Sequence, residues 1–224
     1  MKTLTLILTL GVSGFAQAAD KSDLIRLYED EILAHDLYVE LGKIHPGIRP
    51  FQNIPQSEAR HRQVMAGILE KEGIALPKPP EGRKFITEGL DKTYHDWLEE
   101  GRKSEMDACR VGVRLEDHDI AELRAAVKDF ADHAAALAGL ESASNNHLRA
   151  FHRNLTRLGG SYKAEALEEK DIAAILKGEH EACGEGCAGK CGAGRGLGVG
   201  QGKGNGRGNP GARRGQGRGA GPSR

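Results

Sequence analysis

Residues 53–65, Asn53-Ile54-Pro55-Gln56-Ser57-Glu58-Ala59-Arg60-His61-Arg62-Gln63-Val64-Met65, decide how this chain is read. As a helix, the stretch places Ile54, Glu58, His61 and Met65 on one face, continued by Ile68 and Leu69, because side chains three and four apart lie along the same side. A carboxylate and an imidazole one turn apart within an apolar stripe need partners, since burying either alone is costly. Facing helices that bring further carboxylates to a shared pair of metal ions would meet that need. The other helices of the chain should then carry acids or imidazoles on their own apolar faces.

They do. Ser22 reads as the cap of a first helix over 23–41, closed by Gly42 and the Pro46-Gly47 turn. Its stripe is Leu24, Leu27, Tyr28, Glu31, Ala34, Tyr38 and Leu41. Taken alone, Glu31 is a boundary glutamate with its head in water. Asn53 is expected to cap the second helix, which runs to about Glu72 and ends at Gly73. A proline-rich crossing at 74–83 leads into a helical segment over 87–100 that holds the single tryptophan, Trp97. Ser104 then caps a third long helix to about Val127, with Cys109, Gly112, Val113, Glu116, Asp119, Ile120 and Leu123 on one stripe. Read alone, the run Glu116-Asp117-His118-Asp119 is a solvated acidic face; its flanking by Val113, Ile120 and Leu123 turns Glu116 and Asp119 inward. The fourth long helix, 132–158, directs Leu137, Leu140, Ser144, His147, Phe151 and Leu155 to the core, and a lone histidine such as His147 is by itself an ordinary hydrogen-bonded core residue. Gly159-Gly160 ends it, and 164–177 forms a short amphipathic piece.

Together these helices predict an all-α fold: a four-helix bundle with an extra short helical segment. Glu31, Glu58, His61, Glu116, Asp119 and His147 are the expected metal ligands. Four carboxylates balance two divalent ions, and oxygen with imidazole nitrogen suits iron or manganese rather than copper(I). Tyr38, two turns beyond Glu31, reads either as core packing or as a hydrogen-bond partner and electron relay for a metal-bound carboxylate.

The two ends of the 224-residue chain differ in kind from this body. Met1-Lys2-Thr3, the apolar run Leu4 to Val12 and the small-x-small Ala16-Gln17-Ala18 predict a removed export signal over 1–18. The run is too short to span a bilayer, so the expectation is an exported, periplasmic protein with no membrane span and one domain over 19–182. In the tail, 183–224, seventeen of forty-two residues are glycine and none is aromatic, a composition that predicts disorder. Glycine-arginine repeats there lack aromatics for base stacking, so nucleic acid is not an expected partner. The formal net charge of zero conceals a body about eight charges negative and a tail about seven positive. His180, Cys183, Cys187 and Cys191 form a candidate second site for a soft ion such as copper(I), against the blander alternatives of a disulfide or idle thiols.

Glu31-x-x-Ala34-x-x-x-Tyr38 followed by Glu58-x-x-His61 resembles the first half of a rubrerythrin-type, ferritin-like site. More closely, Asn53-Ile54-x-x-Ser57-Glu58-x-x-His61, Gly112-x-x-Leu115-Glu116-Asp117-x-Asp119-Ile120-x-x-Leu123 and Asn146-His147-Leu148-Arg149-Ala150-Phe151 are similar to a prokaryotic ferritin-like family catalogued as a domain of unknown function. The resemblance covers roughly 24–158 and implies a ferritin-like bundle with the long crossover between its second and third helices. It also shows a departure. In the rubrerythrin pattern the last helix supplies its own Glu-x-x-His, whereas Ser144 stands at that glutamate position; Asp119 could replace it with a shorter arm, or the second ion could be weakly held or absent.

Two functions fit this reading. One is a di-iron (or di-manganese) oxidoreductase that reacts with peroxide or dioxygen, ferroxidase- or peroxidase-like. With no rubredoxin-like Cys-x-x-Cys pair, it would draw electrons from an external donor. The alternative is a non-catalytic protein that binds or sequesters metal, or a structural bundle without any. Ferritin-like bundles often pair or form cages, so a homo-oligomer is compatible, although no surface stripe marks its interface.

Overall fold

The computed structural model describes residues 20–181, and over that span the chain is entirely helical in its regular structure. Helices α1 (Lys21–Ile44), α3 (Pro55–Lys71), α5 (Glu105–Asp129) and α6 (Ala134–Arg157) form a four-helix bundle. The short α2 (Pro50–Asn53), the crossover helix α4 (Leu90–Gly101) and the terminal α7 (Glu169–Lys177) complete it. The expected export signal, and the tail with Cys183, Cys187 and Cys191, lie outside the described residues.

Helix polarity follows from where each stripe meets the core. Buried apolar residues fall into two clusters, one built around Tyr38, Phe51, Val113 and Phe151, the other around Leu24, Leu27, Met65, Leu123 and Leu137. The α1 and α6 helices run from the second cluster to the first, whereas α3 and α5 run from the first to the second. Helix α1 packs on α3 and α5 on α6, and α1–α5 and α3–α6 contacts close the ring, so each helix is antiparallel to its neighbours. Parallel α3 and α5 require a connection that travels the length of the bundle. Residues 72–104 provide it, with α4 laid across α1 and α5.

Local chemistry sets the ends, with some departures from expectation. Asp20, not Ser22, caps α1: its carboxylate accepts the Ser22 N–H at 3.0 Å. Asn53 is not a cap but the last residue of α2; the chain is already helical from Pro50, and Ile54 links α2 to α3 in a right-handed helical conformation. Prolines at the first position of both helices need no N–H partner there, which lets the two abut. Ser104 caps α5 as expected, accepting the Asp107 N–H. The amphipathic α7 starts at Glu169 rather than 164 because the backbone of 165–167 is bound elsewhere.

That partner is Asp117, which is fully buried. Its carboxylate accepts the N–H groups of Glu165, Ala166 and Leu167 and the Tyr162 hydroxyl, at 2.7–3.1 Å. Glu29 does the same for the crossover, accepting from the N–H groups of Ile86 and Thr87 at 2.7 and 2.8 Å. Buried Arg149 fastens the last described segment through the Ile175 carbonyl and Glu181. Two buried acids and one buried base thus bind the loops to the bundle.

Candidate metal centre

Between the two apolar clusters lies a polar layer in which every bundle helix takes part: Glu31 from α1, Glu58 and His61 from α3, Glu116 and Asp119 from α5, and Ser144 and His147 from α6. All are buried, at 8 % exposure or less. The stripe spacing is responsible: in each helix the polar residues replace one turn of an apolar face that continues above and below.

Glu58 sits at the centre. Its Oε2 lies 2.8 Å from Nδ1 of His61, and its Oε1 lies 2.9 Å from Nδ1 of His147. Each imidazole is backed by a second glutamate: Glu31 at 3.3 Å from His61 Nδ1, Glu116 at 3.6 Å from His147 Nδ1. The order Glu31–His61–Glu58–His147–Glu116 is nearly symmetric about the Glu58 carboxylate, and the two imidazoles stack with centroids 5.4 Å apart. Glu58, His61 and His147 present ligand atoms within 4.8 Å of one another. Outside this line, Ser57 Oγ lies 3.2 Å from Nε2 of His61, and Tyr38 donates its hydroxyl to Glu116 at 2.6 Å. The tyrosine is held by Phe151, whose ring packs so closely on Gly112 that a Cβ there would stand 2.5 Å from it.

The electrostatics is that of crowded acids in a buried space. Burial, resisted by His61, pushes the Glu31 carboxyl up to about 7. Burial also raises Glu116, and it raises Asp119 well above the usual range, helped by the Glu31 and Glu116 charges. Glu58 alone goes the other way: although burial opposes it, the flanking His147 and His61 hold its carboxylate well below the ordinary range. His147, against its own burial, is lifted to about 10 by Glu58 and Glu116. Without a bound cation the layer is therefore an ion pair of Glu58 with His147 among acids that favour their protons.

Five of the six expected ligands are joined in this chain of contacts. Asp119 is set apart: its Oδ2 accepts the Ser144 hydroxyl at 2.6 Å. Ser144, at the position where the rubrerythrin pattern has glutamate, thus binds the α5 acid closest to it. Among the residues of the candidate second site, His180 is exposed and its three cysteines lie outside the described residues; Cys109 is buried, unpaired, and its thiol is pushed up to about 12 by burial. The sequence reading missed Glu29 and Asp117 as buried acids. Their signal was faint, because each sits beside an inward acid on the opposite side of its helix.

The model for an uncharacterized protein domain, DUF2202, matches residues 20–179. An uncharacterized protein of Methanocaldococcus jannaschii, MJ0754, is 33 % identical over 165 residues, spanning 72 % of this chain and 89 % of its own. The crystal structure of that hypothetical protein superposes with a TM-score of 0.67 at 31 % identity, covering 74 % of this chain and 97 % of the archaeal one. The matched span contains all four bundle helices and every residue of the polar layer, and the chain belongs to the DUF2202 family.

Proposed function

We propose that the polar layer is a ferritin-like dinuclear metal centre, with iron as its first ion and manganese as the other fit. The observation that carries this is the Glu58 carboxylate between two imidazole Nδ1 atoms, one to each oxygen, with a further glutamate behind each ring. Glu58 Oε1 and His147 Nδ1 are fully buried and 2.9 Å apart, yet neither makes a hydrogen bond of acceptable geometry. A carboxylate oxygen and an imidazole nitrogen that face each other in a buried space without a well-formed hydrogen bond are placed to become ligands once a cation displaces the imidazolium proton. The helix order, with one long crossover between parallel α3 and α5, supports the ferritin-like class.

On this reading Glu58 would serve both ions, Glu31 and His61 one of them, Glu116 and His147 the other. Asp119 completes the charge count of four carboxylates for two divalent ions. A bound iron pair supplies two electrons for reduction of dioxygen or peroxide. The protein's own residues exclude water by the apolar clusters on either side, fix Glu116 through the Tyr38 hydroxyl, and release the protons of Glu31, Glu116 and Asp119 as cations enter. The same reading takes residues 1–18 as an export signal and the protein as periplasmic, which N-terminal sequencing of the mature chain tests. A sequestering role rather than turnover is favoured by one observation: Asp119 is held by Ser144 instead of joining the Glu58 cluster.

The test is metal content per chain after anaerobic reloading with iron(II). About two ions are expected for a dinuclear carboxylate bundle, with an absorption change on adding peroxide if the centre turns over and none if it sequesters. A folded protein that retains no iron or manganese overturns the reading.

A further inference from the structure

A cavity of about 170 Å³ opens between α1, α4 and α5 at the height of the polar layer. Arg26 and Asp30 of α1, Trp97 of α4, and His118, Asp119 and Glu122 of α5 line it. Asp119 is the one expected ligand in that wall. It is 8 % exposed, and its Oδ2 accepts the Ser144 hydroxyl. A nearly buried carboxylate that belongs to the polar layer and also lines the cavity is therefore the point where the layer meets the outside.

The cavity carries three carboxylates against one guanidinium. That guanidinium lies between two of them: Arg26 Nε is 2.6 Å from Asp30 and its terminal nitrogen is 3.5 Å from Glu122, so it ties α1 to α5. Arg26 has its head where a mobile cation would be attracted. Its side chain is 36 % exposed and so is that of Glu122, which leaves the arginine free to swing into solvent when another positive charge takes its place.

We propose that this cavity is the entry port for divalent cations to the buried centre, with Asp30 and Glu122 as the outer carboxylates, Arg26 as a displaceable plug, and Asp119 as the inner acceptor that passes the ion on. This rests on the metal-centre reading above. An anionic cleft raises the local cation concentration and the entry rate, while the equilibrium capacity of the inner site is set by other residues. Rate and capacity therefore report on different parts of the molecule.

The experiment uses the full chain, stripped of metal, and manganese(II), a hard ion that thiolates bind poorly. Loss of the free-ion electron paramagnetic resonance signal gives both the loading rate and the final stoichiometry. Glu122→Gln is expected to slow loading about tenfold and Arg26→Gln to speed it by about the same factor, as expected for steering by a charged cleft, with stoichiometry unchanged in both. Glu99→Gln, an exposed acid of α4 outside this cavity, should load at the native rate. Because the two variants act in opposite directions, a general loss of folding cannot imitate the result. Native stoichiometry with equal loading rates in all four proteins overturns the port and leaves the metal centre standing. No bound manganese in the native protein overturns both.

Discussion

Glu29 and Glu31 stand two residues apart on α1, and Asp117 and Asp119 stand two residues apart on α5; all four are buried, yet they do opposite work. Two residues of helix is about 200° of rotation, so one member of each pair faces the bundle axis and the other a covering loop. The outward members meet backbone N–H groups: two at Glu29, three plus a tyrosine hydroxyl at Asp117. Burial would raise the Asp117 carboxyl, but those donors overcome it and hold the group below its usual range. Inward, Glu31 and Asp119 meet other acids and too few donors, and burial raises them. Burial of an acid therefore does not mark a functional site. What distinguishes the proposed centre is a deficit of donors around several buried acids.

The sharpest way to break this contrast is to exchange the effects of the two classes. Glu58→Ala should abolish metal retention in the bundle while leaving a helical, folded protein, read by metal analysis and circular dichroism. Asp117→Ala should leave metal stoichiometry intact and cost about 2–3 kcal/mol in denaturant unfolding, because several donors lose a charged acceptor at once. Glu29→Ala, with two donors rather than four, should cost about half as much by the same reasoning. If Asp117→Ala removes the metal and Glu58→Ala does not, the assignment of inward and outward roles is wrong.

A second test uses pH. Glu31 has a folded-state value of about 7 against an ordinary 4.5, so the fold favours its protonated form. The group's contribution to stability is thus fully present below 4.5 and is lost as pH rises through about 7. Asp117 has the opposite sign: its contribution is present above the usual carboxylate value of 3.8 and is lost as pH falls below it. Metal-free protein should therefore be most stable in mildly acidic solution and weaken towards pH 8, and added iron(II) or manganese(II) should remove the alkaline loss. Stability of the metal-free protein that keeps rising above about pH 7 would contradict the raised inner acids. The smallest expected effect is at Tyr38→Phe, which removes one hydrogen bond to Glu116 and should cost about 1 kcal/mol, with stoichiometry unchanged.

Stripe periodicity located four bundle helices and an inward set of four carboxylates and two imidazoles, because a helix that must bury one face leaves its period in the sequence; the long crossover came from the ferritin-like resemblance. Helix ends were less legible. Asn53 has the chemistry of a cap, but two abutting helices begin with proline on either side of it and leave no end there to cap. The amphipathic stretch at 164–168 is non-helical because Asp117, nearly fifty residues earlier, takes its backbone N–H groups.

By itself, then, the sequence determined which side chains face inward and hence that acids and imidazoles share one layer, since facing is a local property of period and polarity. Only the tertiary structure decided how they meet: that Glu58 lies between both imidazoles, that Ser144 takes Asp119, and that Asp117 and Glu29 hold loops rather than ligands. Those outcomes depend on the rotation and height of helices relative to one another. Packing of the two apolar clusters fixes both, through contacts between residues far apart in the chain.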